Sequence, residues 1–178
     1  MNLKSNLRYS WPLHLCLGLT NWLPDNVVFL RFRGWLCRHF LGSCGKNLRL
    51  GRSIVFYNPR DIHLGNDVYI AYGNWLCAGS GCPITLGDEV ILGPKSIIDS
   101  NNHTRMNGSF RFGLPKCAPV HIGRGAWIGG NCVVTAGHTV GKGAAVGGGC
   151  VVTHDVPADC LFAGNPGKVV KNYADEAE

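Results

Sequence analysis

A six-residue beat constrains this chain more than any other feature. From Ile122 onward an aliphatic side chain returns at every sixth position, through Ile128, Val134, Val140, Val146 and Val152, and earlier the same step joins Leu86, Leu92 and Ile98. A glycine often follows the aliphatic residue and a small residue takes the fifth place, as in Ile122-Gly123 with Ala126, Ile128-Gly129 with Cys132, and Val146-Gly147 with Cys150. Leu64-Gly65 and Ile70-Ala71 keep the pattern with slips of a few residues. Helices do not have this period. A short strand plus a turn does, and three such steps make one triangular coil, so residues about 18 apart stack at the strand spacing of about 4.8 Å. Cys132 and Cys150 stand 18 apart in the small position and are read first as packing neighbours, with redox or metal roles as the alternative.

The array runs from about residue 46 to 157, leaving an N-terminal segment, 1–45, and a C-terminal tail, 158–178. With 46% apolar and 16% charged residues the chain suits one main domain. Its nine cysteines are odd in number, form no CxxC pair and scatter from Cys16 to Cys160, which fits a reduced cytoplasmic protein better than a disulfide framework. The net charge of +6 is uneven: residues 1–60 hold nine Lys or Arg against one acid, Asp25. No nucleic-acid motif accompanies that basicity, so no nucleic acid is expected as a partner.

Residues 11–41 are rich in Trp and Leu, yet no apolar run reaches the roughly 18 to 20 residues a membrane span needs. Lys4 and Arg8 before a short apolar run resemble the start of a signal peptide, but no small-x-small site follows, and the start is read as retained. A helix is predicted to enter at Asp25 or Asn26 and to stop at Gly42. Phe29, Phe32, Trp35, Leu36 and Phe40 cover most of its circumference, leaving Arg31 and Arg38 as a narrow polar stripe, so it is expected to bury nearly all round. Two covers stay open: its own domain or another subunit, and a peripheral membrane contact through residues 1–41. Arg33, inside the apolar arc, suits neither.

Between Ile98 and Ile122 the beat stops. The interruption begins IIDSNNHTRMNG, residues 97–108, and its loop, 99–119, holds a single histidine, His103. Loops are where a rigid scaffold carries its chemistry.

The run WIGGNCVVTAGHTVGKGAAVGGGCVVTHDVPADCLFAGNPGKVVK, Trp127 to Lys171, resembles the C-terminal half of the hexapeptide-repeat O-acetyltransferases that act on maltose, galactosides and cell-surface polysaccharides; GCPITLGDEVILGP, Gly81 to Pro94, resembles their middle coils. The resemblance implies a mainly β fold, a left-handed parallel β-helix with an N-terminal helical segment and a protruding loop near 99–119. It also implies a homotrimer with active sites between subunits, acetyl-CoA as donor, a carbohydrate acceptor and no metal. His103 then corresponds to the family's general base. Imidazole suits that task, because its ordinary pKa of about 6.5 lets it take a hydroxyl proton and return it to the departing thiolate, worth about 10²- to 10⁴-fold. The Gly130 amide corresponds to the oxyanion donor, worth about 3 kcal/mol, and Asp99 is a candidate to orient the imidazole. Cofactor contacts are expected at Trp127, Gly148 and Thr153, with His154, Lys168 and Lys171 towards the phosphates; acceptor contacts are expected at Asn74, Ser80 and Asn102.

Two departures from the family pattern matter. His154 stands where many relatives carry lysine. The carboxylate that simple sugar acetyltransferases carry before the I-x-I-G coil is absent from Ala78-Gly79-Ser80-Gly81, and their acceptor-binding asparagine is at best displaced by one, to Asn74. Free maltose or galactoside is therefore not the expected acceptor; a polysaccharide unit or lipid-linked glycan is. Other readings remain: acetylation of a xenobiotic, with Trp127, Phe110 and Phe112 lining the pocket, an inactive trimeric scaffold, and a γ-type carbonic anhydrase. The last needs two metal histidines five apart, and no histidines here are.

Overall fold

The structure is a computed structural model and describes residues 3–173. Three parallel sheets wrap into a solenoid whose five coils each contribute one short strand per sheet. The coils are β1 (Ser43–Cys44), β2 (Arg49–Leu50) and β3 (Val55–Tyr57); β4 (Ile62–Leu64), β5 (Tyr69–Ile70) and β6 (Trp75–Cys77); β7 (Ile84–Leu86), β8 (Ile91–Leu92) and β9 (Ile97–Asp99); β12 (Val120–Ile122), β13 (Trp127–Ile128) and β14 (Val133–Val134); β15 (Thr139–Val140), β16 (Ala145–Val146) and β17 (Val151–Val152). The first strand of each coil joins sheet A, the second sheet B and the third sheet C. The hand of the coil is left.

Register follows the sequence rhythm. His121 pairs Thr139, Trp127 pairs Ala145 and Val133 pairs Val151, each 18 apart. Upstream slips become longer coils, with Arg49 pairing Tyr69 and Tyr69 pairing Ile91. The beat's aliphatic residues, Ile70, Leu92, Ile128, Val146 and their counterparts in sheets A and C, fill the core. Three residues at the fifth place between sheets B and C do more than pack, each reaching the corner carbonyl of the next coil. The Asn74 amide donates to the Gly93 oxygen at 2.9 Å, the Ser96 hydroxyl to the Gly129 oxygen at 2.7 Å, and the Cys132 thiol to the Gly147 oxygen at 3.1 Å. Cys132 and Cys150 are free and buried, as the stacking predicts.

The helical segment caps the open end of the first coil. Leu3–Ser5 is α1; a π turn over Asn6–Ser10 joins it to α2, Trp11–Thr20, and α3 follows at Val27–Cys37 with a 3-10 turn to Phe40. Asn26 is the N-cap of α3, its side chain accepting from the Phe29 N–H at 3.0 Å. The expectation of all-round burial is corrected here. α3 buries one stripe, Leu30, Arg33, Gly34 and Cys37, while Phe32 and Trp35 stay exposed. Arg33 explains itself: 1% exposed, it pairs with Asp25 at 3.2 Å and donates to the carbonyls of Leu50, Thr20 and Leu23, tying both helices and their connection to the first coil. Gly34 lets the backbones meet, since a Cβ there would overlap the Leu48 carbonyl.

At the other end, the stretch expected as a tail extends the sheet. β18 (Cys160–Gly164) stacks on β16, and β19 (Gly167–Asn172) folds back antiparallel upon it.

Candidate active site

The break in the beat is a two-stranded ribbon inserted in the coil where the chain passes from β9 in sheet C to β12 in sheet A. β10 (Asn101–His103) pairs antiparallel with β11 (Pro115–Cys117), Asn101 opposite Cys117 and His103 opposite Pro115. Residues opposite one another, and those two apart along a strand, share a face. His103 therefore shares its face with Asn101, Pro115 and Cys117. Those three, with Tyr57, Asn58, Ala78 and Ser80, line a cleft of about 370 Å³. His103 is exposed at the cleft's margin, while Asn102 and Lys116 take the opposite face. The expected acceptor contact at Asn102 is thus turned away; its side-chain oxygen accepts the His103 backbone N–H at 3.0 Å.

The root of the ribbon is tightly held. The buried Ser100 hydroxyl donates to the Cys82 carbonyl and accepts from the Gly79 N–H, both at 2.7 Å. Asp99 is committed as well: its Oδ1 accepts from the Asn101 backbone N–H at 2.7 Å and side chain at 3.1 Å, and no hydrogen bond joins it to His103 among the described residues. Asp99 thus holds the strand that bears the histidine, not the imidazole. Burial first, and the Asp99 charge second, push the neighbouring Cys77 thiol up to about 11, so that thiol is protonated at neutral pH and is no nucleophile.

Cys82 and Cys117 form a disulfide across the cleft wall, where reduced thiols were expected. The stacking register brings the two together. Ile84 pairs with Val120, 36 residues on, because the ribbon is inserted within a coil, so Cys82 falls beside residue 118. Asn74, the expected acceptor ligand, is fully buried and is corrected to a structural role at the corner described above. Ser80 is exposed in the cleft, and Tyr57, Asn58 and Asn101 join it there unforeseen.

A second feature runs down the corner between sheets B and C. Gly130 and Gly148 stack in successive coils, the Gly130 carbonyl accepting from the Gly149 N–H at 2.9 Å. Among the described residues, neither the Gly130 nor the Gly148 N–H donates to a backbone carbonyl. At Gly129 a Cβ would press to 2.7 Å of the Gly148 nitrogen, so the fold itself requires glycine there. At Gly148 the nearest atom would be the Gly130 oxygen at 3.4 Å, ordinary contact, so the fold does not. Trp127, just before the corner, faces outward and is half exposed. Thr153 and His154 leave β17 at the opposite corner, the His154 ring edge-on to Phe162 at 5.2 Å. Lys168 and Lys171 are exposed on β19, Lys171 lying over the Tyr173 ring. No cluster of His, Cys, Asp or Glu suited to a metal occurs among the described residues.

Comparison with known proteins decides the family. Residues 119–154 match the model of the hexapeptide repeat of succinyl-transferase. A putative acetyltransferase of Dictyostelium discoideum is 35% identical over 147 residues, 80% of this chain and 74% of that protein. The chain belongs to the hexapeptide-repeat acetyltransferases. A putative colanic acid biosynthesis acetyltransferase of Escherichia coli (strain K12) is 28% identical, covering 84% of this chain and 79% of its own. Among solved structures, a hexapeptide-repeat acetyltransferase of Vibrio cholerae O1 biovar eltor in complex with acetyl-coenzyme A aligns with a TM-score of 0.75 and 26% identity, over 90% of this chain and 87% of that one.

Proposed function

We propose that this acetyltransferase moves the acetyl group of acetyl-CoA to a hydroxyl of a cell-surface polysaccharide unit or lipid-linked glycan, with His103 as general base. One observation carries the reading: the only histidine of the interrupting ribbon shares its face with the lining of a cleft that also holds Tyr57, Asn58, Ser80 and Asn101. Tyr57, largely exposed, offers an aromatic face to a sugar ring, and Asn58, Ser80 and Asn101 offer hydrogen-bonding groups around it. Along the glycine corner, the unpaired amides of Gly130 and Gly148 and the freedom from side chains suit an extended pantetheine arm. Trp127 lies beside that lane, Thr153 across sheet C from it, and His154, Lys168 and Lys171 beyond the last coil toward the phosphates.

In the reaction His103 accepts the acceptor's hydroxyl proton as that oxygen bonds to the thioester carbonyl carbon. The Gly130 amide donates to the oxyanion of the tetrahedral intermediate. As the carbon–sulfur bond breaks, the imidazolium returns its proton to the thiolate, so oxygen ester and free thiol leave with charges balanced and no acyl-enzyme forms.

The site is shared between subunits of a homotrimer. Sheet C separates the corner of Gly130 from the ribbon of His103, so in one chain the two groups stand on opposite edges of a strand several residues long, about 3.3 Å each. A neighbouring subunit across sheet C closes that gap. The outward column of sheet C, with Trp75, Ile97, Val133 and Val151, is apolar, whereas that of sheet A reads Ser43, His63, Thr85, His121 and Thr139. The donor and a lipid-linked acceptor put the enzyme in the cytoplasm, at the inner face of the membrane. Radiolabelled acetyl-CoA offered with glycan fragments, simple sugars and amine-bearing xenobiotics tests the reading. Label released from glycans by mild alkali, as an oxygen ester is, supports it; label held in an alkali-stable amide favours the xenobiotic alternative.

A further inference from the structure

The N-terminal helices expose more apolar surface than the coil stack covers. Leu3, Leu7, Trp11, Leu15, Leu19 and Trp22 recur every three or four positions along one side of α1, the π turn and α2 and just beyond, each more than half exposed. The other side, with Ser5, Leu13 and Thr20, is buried against the protein, so the stripe faces away from the solenoid. On α3 the same division holds: Val28, Phe32 and Trp35 are exposed, the last two rings stacking at 6.3 Å, while Leu30, Arg33 and Cys37 are buried. A continuous stripe of this kind on a soluble protein is a docking face.

Charge indicates its occupant. Lys4, Arg8 and Arg60 line a cleft of about 290 Å³ beside Leu3 and Leu7. Arg31 and Arg38 line another, of about 180 Å³, on either side of Trp35. Among the described residues, no acid lines either cleft. Asp25, the only acid of the first 60 residues, is held by Arg33 and Arg52 and neutralises neither cluster. Leucine and tryptophan on one face, indoles at its margins and cationic clefts alongside match the boundary between acyl chains and phosphate headgroups. No helix among the described residues is long and apolar enough to cross a membrane, so the fit is to a surface.

We infer that α1 to α3 form an in-plane docking face for an anionic phospholipid bilayer, holding the cap of the solenoid against the membrane. The inference deepens the membrane-proximal acceptor proposed above and rests on it for its purpose, although the surface is independent of the acetyl-transfer chemistry. Sedimentation of the full chain with vesicles of phosphatidylcholine, with and without phosphatidylglycerol, tests it. Binding is expected to the anionic vesicles, to weaken with salt, and to fall at least tenfold both for Lys4→Glu with Arg8→Glu and for Leu7→Ser with Trp11→Ser and Leu15→Ser. Light scattering and acetyl-CoA titration on the same variants should match the wild type, which shows that they fold and that the donor site is intact. Wild-type protein that stays in the supernatant with anionic vesicles overturns the inference while leaving acetyl transfer standing. So does an apolar variant that loses its oligomeric state yet still binds vesicles, because the stripe is then a contact between copies. Loss of acetyl-CoA binding in wild type with vesicle binding intact would instead remove the proposed reaction.

Discussion

Gly148 separates two demands that coincide at most glycines of the stack. Its neighbours Gly129 and Gly149 are needed by the fold, one for close backbone approach and one for a φ of +75°, but Gly148 has room for a side chain. Gly148→Val is therefore expected to leave the melting temperature within a few degrees while weakening acetyl-CoA at least tenfold by calorimetry; equal affinity would show that the lane does not carry the donor. Arg33 makes the opposite case. Arg33→Met removes a buried ion pair and strands the Leu50 and Leu23 carbonyls, and urea unfolding should show a loss of about 3–5 kcal/mol. His103 stood out in the sequence because it lies where the beat breaks, and Gly130 because the family resemblance pointed to it. Arg33 did not, since a helical wheel cannot show carbonyls supplied from Thr20, Leu23 and Leu50. Asn74 was misassigned although its signal was present: it stands four after Ile70, in the inward fifth place also held by Ser96, Cys132 and Cys150.

At the scale of elements, the ribbon of β10 and β11 is a guest within a coil, and its root decides how firmly His103 is presented. Ser100, Asp99 and the Cys82–Cys117 disulfide fix that root. Peptide mapping without reductant should recover the peptides of Cys82 and Cys117 linked. Cys82→Ser with Cys117→Ser should lower stability by about 3–4 kcal/mol, the loop-closure effect expected of a link 35 residues apart, and speed proteolysis between residues 104 and 114. A mapping experiment with both thiols free in protein purified under oxidising conditions would contradict the bridge. The strands and their register could be read from the sequence because period and burial coincide in a solenoid. The pairing of the two cysteines could not, because it depends on how many residues the insertion adds to one coil.

For the whole molecule, the contrast between the apolar outward column of sheet C and the polar column of sheet A predicts where copies meet. Val133→Arg places a charge at the centre of the apolar column, and light scattering should then give the mass of a single chain where the wild type gives three. An unchanged trimer would move the interface elsewhere. The fold and its sheets were legible because a repeat states its architecture in its period, and the N-terminal helical segment from its caps; the face that segment leaves exposed was not, since it is set by what the first coil covers.

The central claim is that His103 transfers the proton in acetyl transfer. Its most direct test is the rate of label transfer from acetyl-CoA to an accepted glycan by wild-type protein and by His103→Ala, with acetyl-CoA affinity measured on both. The account predicts a fall in kcat of about 10²- to 10⁴-fold with affinity unchanged. Transfer by His103→Ala at the wild-type rate would contradict it and place the base elsewhere.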